Sequence, residues 1–384
     1  MNRIKRLKLE GFRRLESVDL PVRPLMVLIG ANGVGKTSLL DAVTLISASA
    51  GGNLTSTLSR LGGISSVVTR DRASEVSLAV EMEVPGHHPL EYDLSIRVSG
   101  TGHALSRETL RQDRGHASAF KHIDSSDAGI RYYDVRPGHK GGLIKPDWDY
   151  NSFETSLSQV PRMFREPEEL RKVLSTATSY HALDVGPRAP VKLPQPMKPA
   201  NLPGSDGEDL IPYLYYLRET DPNRFEMIID SLHAAFPDFE SLSFPPVAAG
   251  VMAIAWKDRK FSKPMYMHEL SEGTLRFMWL VALLHSPSLS TITMIDEPEV
   301  SLHPELLSLL AELMREASMR TQLIVATHSD RFIRFLKPNE VVVMDVTETG
   351  ATTATWADEM DLSAWLADYS LDEIWSMGLL GGRA

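Results

Sequence analysis

The chain has 384 residues, is 43% hydrophobic and 23% charged, holds no cysteine, and carries a formal net charge of −10 at pH 7. At about 150 residues per domain this length suggests two or three lobes. The lack of cysteine excludes disulfides, thiolate metal sites and cysteine nucleophiles, and fits a reducing cytoplasm. The N-terminus is basic but lacks a signal-peptide core, and no run approaches the ~20 apolar residues of a membrane span, so a cytoplasmic protein without a membrane partner is expected.

In chain order, residues 3–9 and 18–29 read as strands, the second ending in the apolar run Leu25–Ile29. A Gly-rich turn then opens a helix with apolar Leu39, Leu40, Val43 and Ile46 on one face. Residues 76–98 alternate around PGHHP, a β-hairpin signal. Arg107, Arg111 and Arg114 share a face if their segment is a short helix. Residues 151–180 read as helical, 186–204 hold six prolines and predict an extended connector, and 207–236 return to helical periodicity. The strands TITMIDE, QLIVATHSD and VVVMDV follow, with a helix at about 304–318 after the first and a last helix at about 361–377. No heptad run reaches coiled-coil length. The expected organisation is 1–63, first part of a nucleotide-binding lobe; 64–149, an antiparallel β region; 150–240, a helical lobe with the connector; and 241–384, the rest of the nucleotide-binding lobe.

Four segments carry chemistry. Gly30-Ala-Asn-Gly-Val-Gly-Lys-Thr37 fits G-x-x-x-x-G-K-[ST], following a buried strand and opening a helix. Such a loop curls backbone N–H groups around phosphate oxygens at a helix N-terminus. Gly30, Asn32, Gly33 and Gly35 would form the cradle, Lys36 would meet the β/γ-phosphates, and Thr37, with Ser38 beside it, would offer a hydroxyl to Mg²⁺. The strand Ile292–Ile295 ends in Asp296 and Glu297. Asp296 is the candidate Mg²⁺ ligand, through water, and Glu297 the candidate base for the attacking water. His328 follows another apolar strand, at the edge where parallel sheets bind ligands. Ser271-Glu-Gly273-Thr opens an apolar helix. Gly273 costs about 1 kcal/mol there against alanine, which a second phosphate site at Ser271 and Gly273 explains. Because one nucleotide is already wrapped by residues 30–37, this second site is expected to serve another subunit's nucleotide, in a head-to-tail homodimer about a two-fold axis.

In this order the segments resemble the ABC-type ATPases: GANGVGKT is similar to Walker A, LSEGT to the signature, TMIDEP to Walker B, VSLHP (Val300–Pro304) to the D-loop, and His328 to the switch histidine. The opening IKRLKLEGFRRLESVDLPVRPLMVLIGANGVGKT resembles the RecF/SMC-like class. Lys36 and Ser271 lie 235 residues apart, much farther than in transporter subunits. FPDFESLSF and LDEIWSMGLLGG are similar to stand-alone ATPases of the overcoming-lysogenisation-defect (OLD) type, many of which act in phage defence or DNA repair. The resemblance implies an α/β P-loop head with a parallel core sheet, an antiparallel β region and a helical lobe, without a long coiled coil; ATP and Mg²⁺ as cofactors; and ATPase activity using Lys36, Glu297 and His328. It implies that Arg13, in GFRRL, approaches the nucleotide. The Q-loop ligand to Mg²⁺ is expected at Gln159, with Gln112 as the alternative. A Toprim nuclease constellation is not expected after His328, so a coupled nuclease is expected on a separate effector.

Residues 1–200 hold 27 Lys and Arg against 22 Asp and Glu, and residues 201–384 hold 13 against 28. The basic half favours a switch that works on DNA with an effector; the acidic total favours a nucleotide-gated scaffold with slow turnover and little DNA contact. Plain scatter of charge over solvated faces also accounts for the asymmetry.

Overall fold

The computed structural model describes residues 2–115, 118–134, 141–361, 365, 369–378 and 380. The chain forms two compact units: one of residues 1–178, 338–364 and 377–384, the other of residues 179–337 and 365–376.

The first unit is built on an eight-stranded antiparallel sheet. Its strands, from one edge, are Leu15–Pro21, Arg3–Phe12, Glu75–Glu83, Leu90–Ser99, Gly102–Gln112, Phe120–Ser126, Tyr132–Tyr133 and Leu143–Ile144. One face is buried, as period-two patterning dictates: Val76, Leu78, Val80 and Met82 point inward from one strand, and Leu90, Tyr92, Leu94 and Ile96 from its neighbour. The same unit pairs Leu25–Ile29, buried at every position, in parallel with Val341–Val346, which pairs antiparallel with Thr352–Trp356. The helix Lys36–Ala50 buries Leu39, Leu40, Val43 and Ile46, the face expected from its spacing.

The helix expected around Arg107–Arg114 is instead the strand Gly102–Gln112, hydrogen-bonded on both edges. Two ladders outweigh the i, i+4 spacing that suggested a helix. Arg111 pairs with Glu91 at 2.6 Å and Asp93 at 3.5 Å, and Arg114 pairs with Glu166 at 3.2 Å and stacks on Phe120. In residues 151–180, expected to be helical, only Ser156–Gln159 and Arg165–Ser175 are helices, and Thr178–Tyr180 is a strand. The first begins where buried Glu108 accepts the N–H groups of Ser156 and Leu157 and the hydroxyl of Tyr92. Burial pushes the Glu108 carboxyl up, and those donors pull it back.

In the second unit, Ile292–Asp296 runs parallel to Gln322–Ala326, with the helix Leu306–Ser318 between them in sequence. The helical stretch expected over 207–236 is two helices, Leu210–Thr220 and Pro222–Ala235. Pro222 has no N–H to continue the first, and Asp221 caps the second by accepting from the N–H of Arg224. The proline-rich connector is fastened by buried Gln195, whose amide donates to the carbonyls of Pro190 and Gly207 and accepts from the N–H of Ile211. Leu371–Ser376 is helical; residues 362–364 and 366–368, in the expected last helix, lie outside the described residues. The protein is thus a mixed α/β fold with parallel and antiparallel sheets. No helix among the described residues is long and apolar enough to cross a membrane.

Candidate functional site

In the first unit, the loop 30–37 turns from the buried strand Leu25–Ile29 into the helix Lys36–Ala50. Gly30, Gly33 and Gly35 have φ of 150°, 79° and 110°, values that disfavour any side chain. A Cβ on Gly30 would strike the Met344 carbonyl, whereas Gly33 faces open space. The loop is therefore pressed onto its own unit at one end and free at its tip. Lys36 is buried and donates to the carbonyls of Gly30 at 2.6 Å and Ala31 at 3.0 Å. Thr37, Asn32 and Gly33 are exposed, and Ser38 is half-buried. A pre-shaped glycine cradle, a fixed ammonium and an exposed hydroxyl at a helix N-terminus fit the phosphates and Mg²⁺ of ATP.

Three expected residues, Arg13, Gln159 and the alternative Gln112, are engaged locally. Arg13, itself at φ 50°, pairs with Asp41 on the helix at 2.6 Å. The Gln159 amide donates to the carbonyls of Asn151, Glu154 and Thr155 and accepts from the Asn151 N–H at 2.7 Å, so its hydrogen-bonding groups stitch its own loop together. Gln112 is buried and donates to the His88 carbonyl.

In the second unit, Asp296 ends its strand half-buried, with His181 3.9 Å away. Glu297 turns sharply, at φ 53°, and its N–H donates to the Ala326 carbonyl at 2.8 Å. Its Oε1 lies 2.8 Å from His328 Nδ1, and both side chains remain accessible, at 40% and 48%. A carboxylate beside an imidazole at the C-terminal ends of two parallel strands can accept, hold and pass on a proton. Sequence reading proposed each partner separately and missed their contact. It also missed Glu299, buried and accepting from the Thr327 hydroxyl; the extra carboxylate in DEPE was the available signal. Among the described residues no three or more His, Asp or Glu side chains cluster as a metal site.

The second unit also holds Ser271, which caps the helix Glu272–Leu284: its hydroxyl accepts from the Thr274 N–H at 3.1 Å and remains exposed. Gly273 has a local reason beyond the expected one. A Cβ there would sit 2.7 Å from the Ser301 carbonyl, so the backbone at Ser301 packs against the first turn of the helix Glu272–Leu284. Arg276 fastens the same contact, donating to the Val300 carbonyl and, at 2.9 Å, to the Ser301 hydroxyl. Gly273→Ala gains about 1 kcal/mol of helix propensity but forces a backbone carbonyl aside, an overpacking cost of roughly 1–3 kcal/mol. We expect net destabilisation in urea titration; a stabilised variant would show that the Ser301 carbonyl yields freely.

Residues 25–334 match the family described as "AAA domain, putative AbiEii toxin, Type IV TA system". The chain belongs to this family. This AAA-domain chain also shares 49% identity over 43 residues with the OLD nuclease of Thermus scotoductus (strain ATCC 700910 / SA-01), a segment spanning 11% of the chain and 8% of that protein. Its fold is similar to an SMC head solved bound to the C-winged helix domain of ScpA, with TM-score 0.58 and 15% identity over 92% of this chain and 97% of that one. It is also similar to the SMC head of Pyrococcus furiosus with an extended coiled coil, bound to the C-terminal domain of ScpA, with TM-score 0.54 and 13% identity over 98% of each. The family match thus bears out an AAA-type ATPase domain, the SMC heads bear out the expected fold, and the short OLD segment agrees with the OLD-like resemblance.

Proposed function

We propose that this AAA-domain protein binds and hydrolyses ATP with Mg²⁺, as a head-to-tail homodimer. In this reading it controls a nucleic-acid-directed process, in phage defence or DNA repair, through a separate effector such as a nuclease. The observation that carries the hydrolytic reading is the Glu297–His328 contact at the strand ends. Bound ATP supplies the phosphoanhydride to be cleaved. The backbone of Gly30–Gly35 and the Lys36 ammonium would hold its phosphates, and Thr37 and Asp296 would hold Mg²⁺, which would supply charge neutralisation at the phosphates. Glu297 takes the proton of the attacking water, and His328, fixed through Nδ1, keeps that carboxylate in place. Ser271 meets the nucleotide held by a second copy.

Complementation tests this reading. Ser271→Arg should bind ATP like wild type and lose turnover. Mixed with Lys36→Ala, it forms one composite site carrying both lesions and one carrying neither, so hydrolysis should return. A Ser271→Arg protein that turns over at the wild-type rate would remove the second-subunit role.

The nucleotide-gated scaffold is a second reading. Arg111 and Arg114, two cations of the basic half, are held in ion pairs. Gel shift with duplex DNA at several salt concentrations, with and without ATP, separates the two. Counterion release makes DNA binding fall steeply with salt; no shift at low salt leaves the scaffold.

A further inference from the structure

One carboxyl close to the Glu297–His328 pair has no part in the roles above. Glu299 is 8% exposed; its Oε1 accepts from the Thr327 hydroxyl, and its Oε2 is inaccessible and without a hydrogen-bond partner. Thr327 is fully buried, and its hydroxyl in turn accepts from the Ser329 N–H at 3.0 Å. Thr327 and Ser329 flank His328. The strand ends are therefore tied twice, by the main-chain bond from Glu297 to Ala326 and by the side-chain bond between Glu299 and Thr327. The Glu297–His328 contact joins the same two segments.

Burying a carboxyl with one oxygen unpaired is a costly way to join two strand ends, and an apolar pair would do so at less cost. What an apolar pair cannot do is hold the Thr327 hydroxyl in one direction, and that hydroxyl orders the backbone on the far side of His328. Burial pushes the Glu299 carboxyl up, the Thr327 bond opposes the shift, and His328 and Glu297 both act on its charge. Glu299 is thus electrically as well as mechanically close to the pair.

We propose that Glu299 is a positioning residue: through Thr327 it fixes the segment carrying His328 and so sets the contact between His328 and Glu297. Its kinetic consequence rests on the proposed ATP hydrolysis; its effect on the His328 ring does not. The test therefore has two arms. In the first, histidine-ring NMR follows the His328 resonance. Glu297→Gln should shift it in the wild-type background, and the same substitution should leave it unmoved in Glu299→Ala and in Thr327→Val. In the second arm, each of these two variants should lower kcat about 100-fold, the scale of a misplaced catalytic group, with KM and ATP affinity unchanged. The double variant should be no slower than either single one. Glu299→Gln, which keeps an acceptor for Thr327, should retain most of the rate. A ring coupling that persists in folded Glu299→Ala overturns the proposal, as does a rate loss that Glu299→Gln fails to rescue. If wild-type protein shows no turnover while the ring coupling behaves as stated, the hydrolytic reading fails and the positioning role stands.

Discussion

Replacing Glu297 with glutamine should stop ATP turnover while leaving ATP bound. The amide keeps the size of the carboxylate and one acceptor for His328 Nδ1, 2.8 Å away in the parent, but it cannot take a proton from water. A positioned general base contributes about 10²–10⁴ in rate, so single-turnover hydrolysis should fall by that range. Calorimetric affinity for ATP should be unchanged, because Lys36 and the glycine loop are untouched. The bound, uncleaved nucleotide should hold the protein as a dimer, which light scattering reads directly. Hydrolysis at the wild-type rate would move the base to another group, with His328 the first to examine.

Lys36→Ala should remove high-affinity ATP binding. The buried ammonium is held by the Gly30 and Ala31 carbonyls, so it is already in place at the loop. Loss of a charge-assisted contact costs about 1.5–3 kcal/mol, roughly ten- to a hundredfold in Kd. Calorimetry with Mg²⁺·ATP checks this, and a thermal melt shows whether the loop's own fold survives the loss of two hydrogen bonds. Wild-type affinity in a folded Lys36→Ala protein would overturn the assignment of the loop.

What could be read from the sequence was whatever lies contiguous in the chain. The phosphate loop is eight consecutive residues whose spacing is itself the chemistry, and Asp296, Glu297 and His328 stand at the ends of apolar runs that can only be buried strands. What could not be read depends on residues far apart. Gly273 meets a carbonyl 28 residues later, and Glu299 meets Thr327 at the same separation. The segment around Arg107 has helical charge spacing, yet two neighbouring strands decide its conformation. Gln159 looks available in the sequence because nothing there shows that residues 151–155 occupy its amide.

Four non-glycine residues among those described adopt left-handed backbone: Arg13, Asp71, Glu297 and Ser301. Three of them, Arg13, Glu297 and Ser301, sit in segments expected to serve the nucleotide. Each such conformation costs of order 1–3 kcal/mol, and glycine would relieve it. Heat resistance and activity therefore pull these positions in opposite directions. A library screened only for survival at high temperature should drift toward glycine at Ser301, surrendering the hydroxyl that Arg276 grips, and toward glycine at Glu297, surrendering the carboxylate. The most thermostable descendants of this chain should therefore be poor starting points for recovering its turnover.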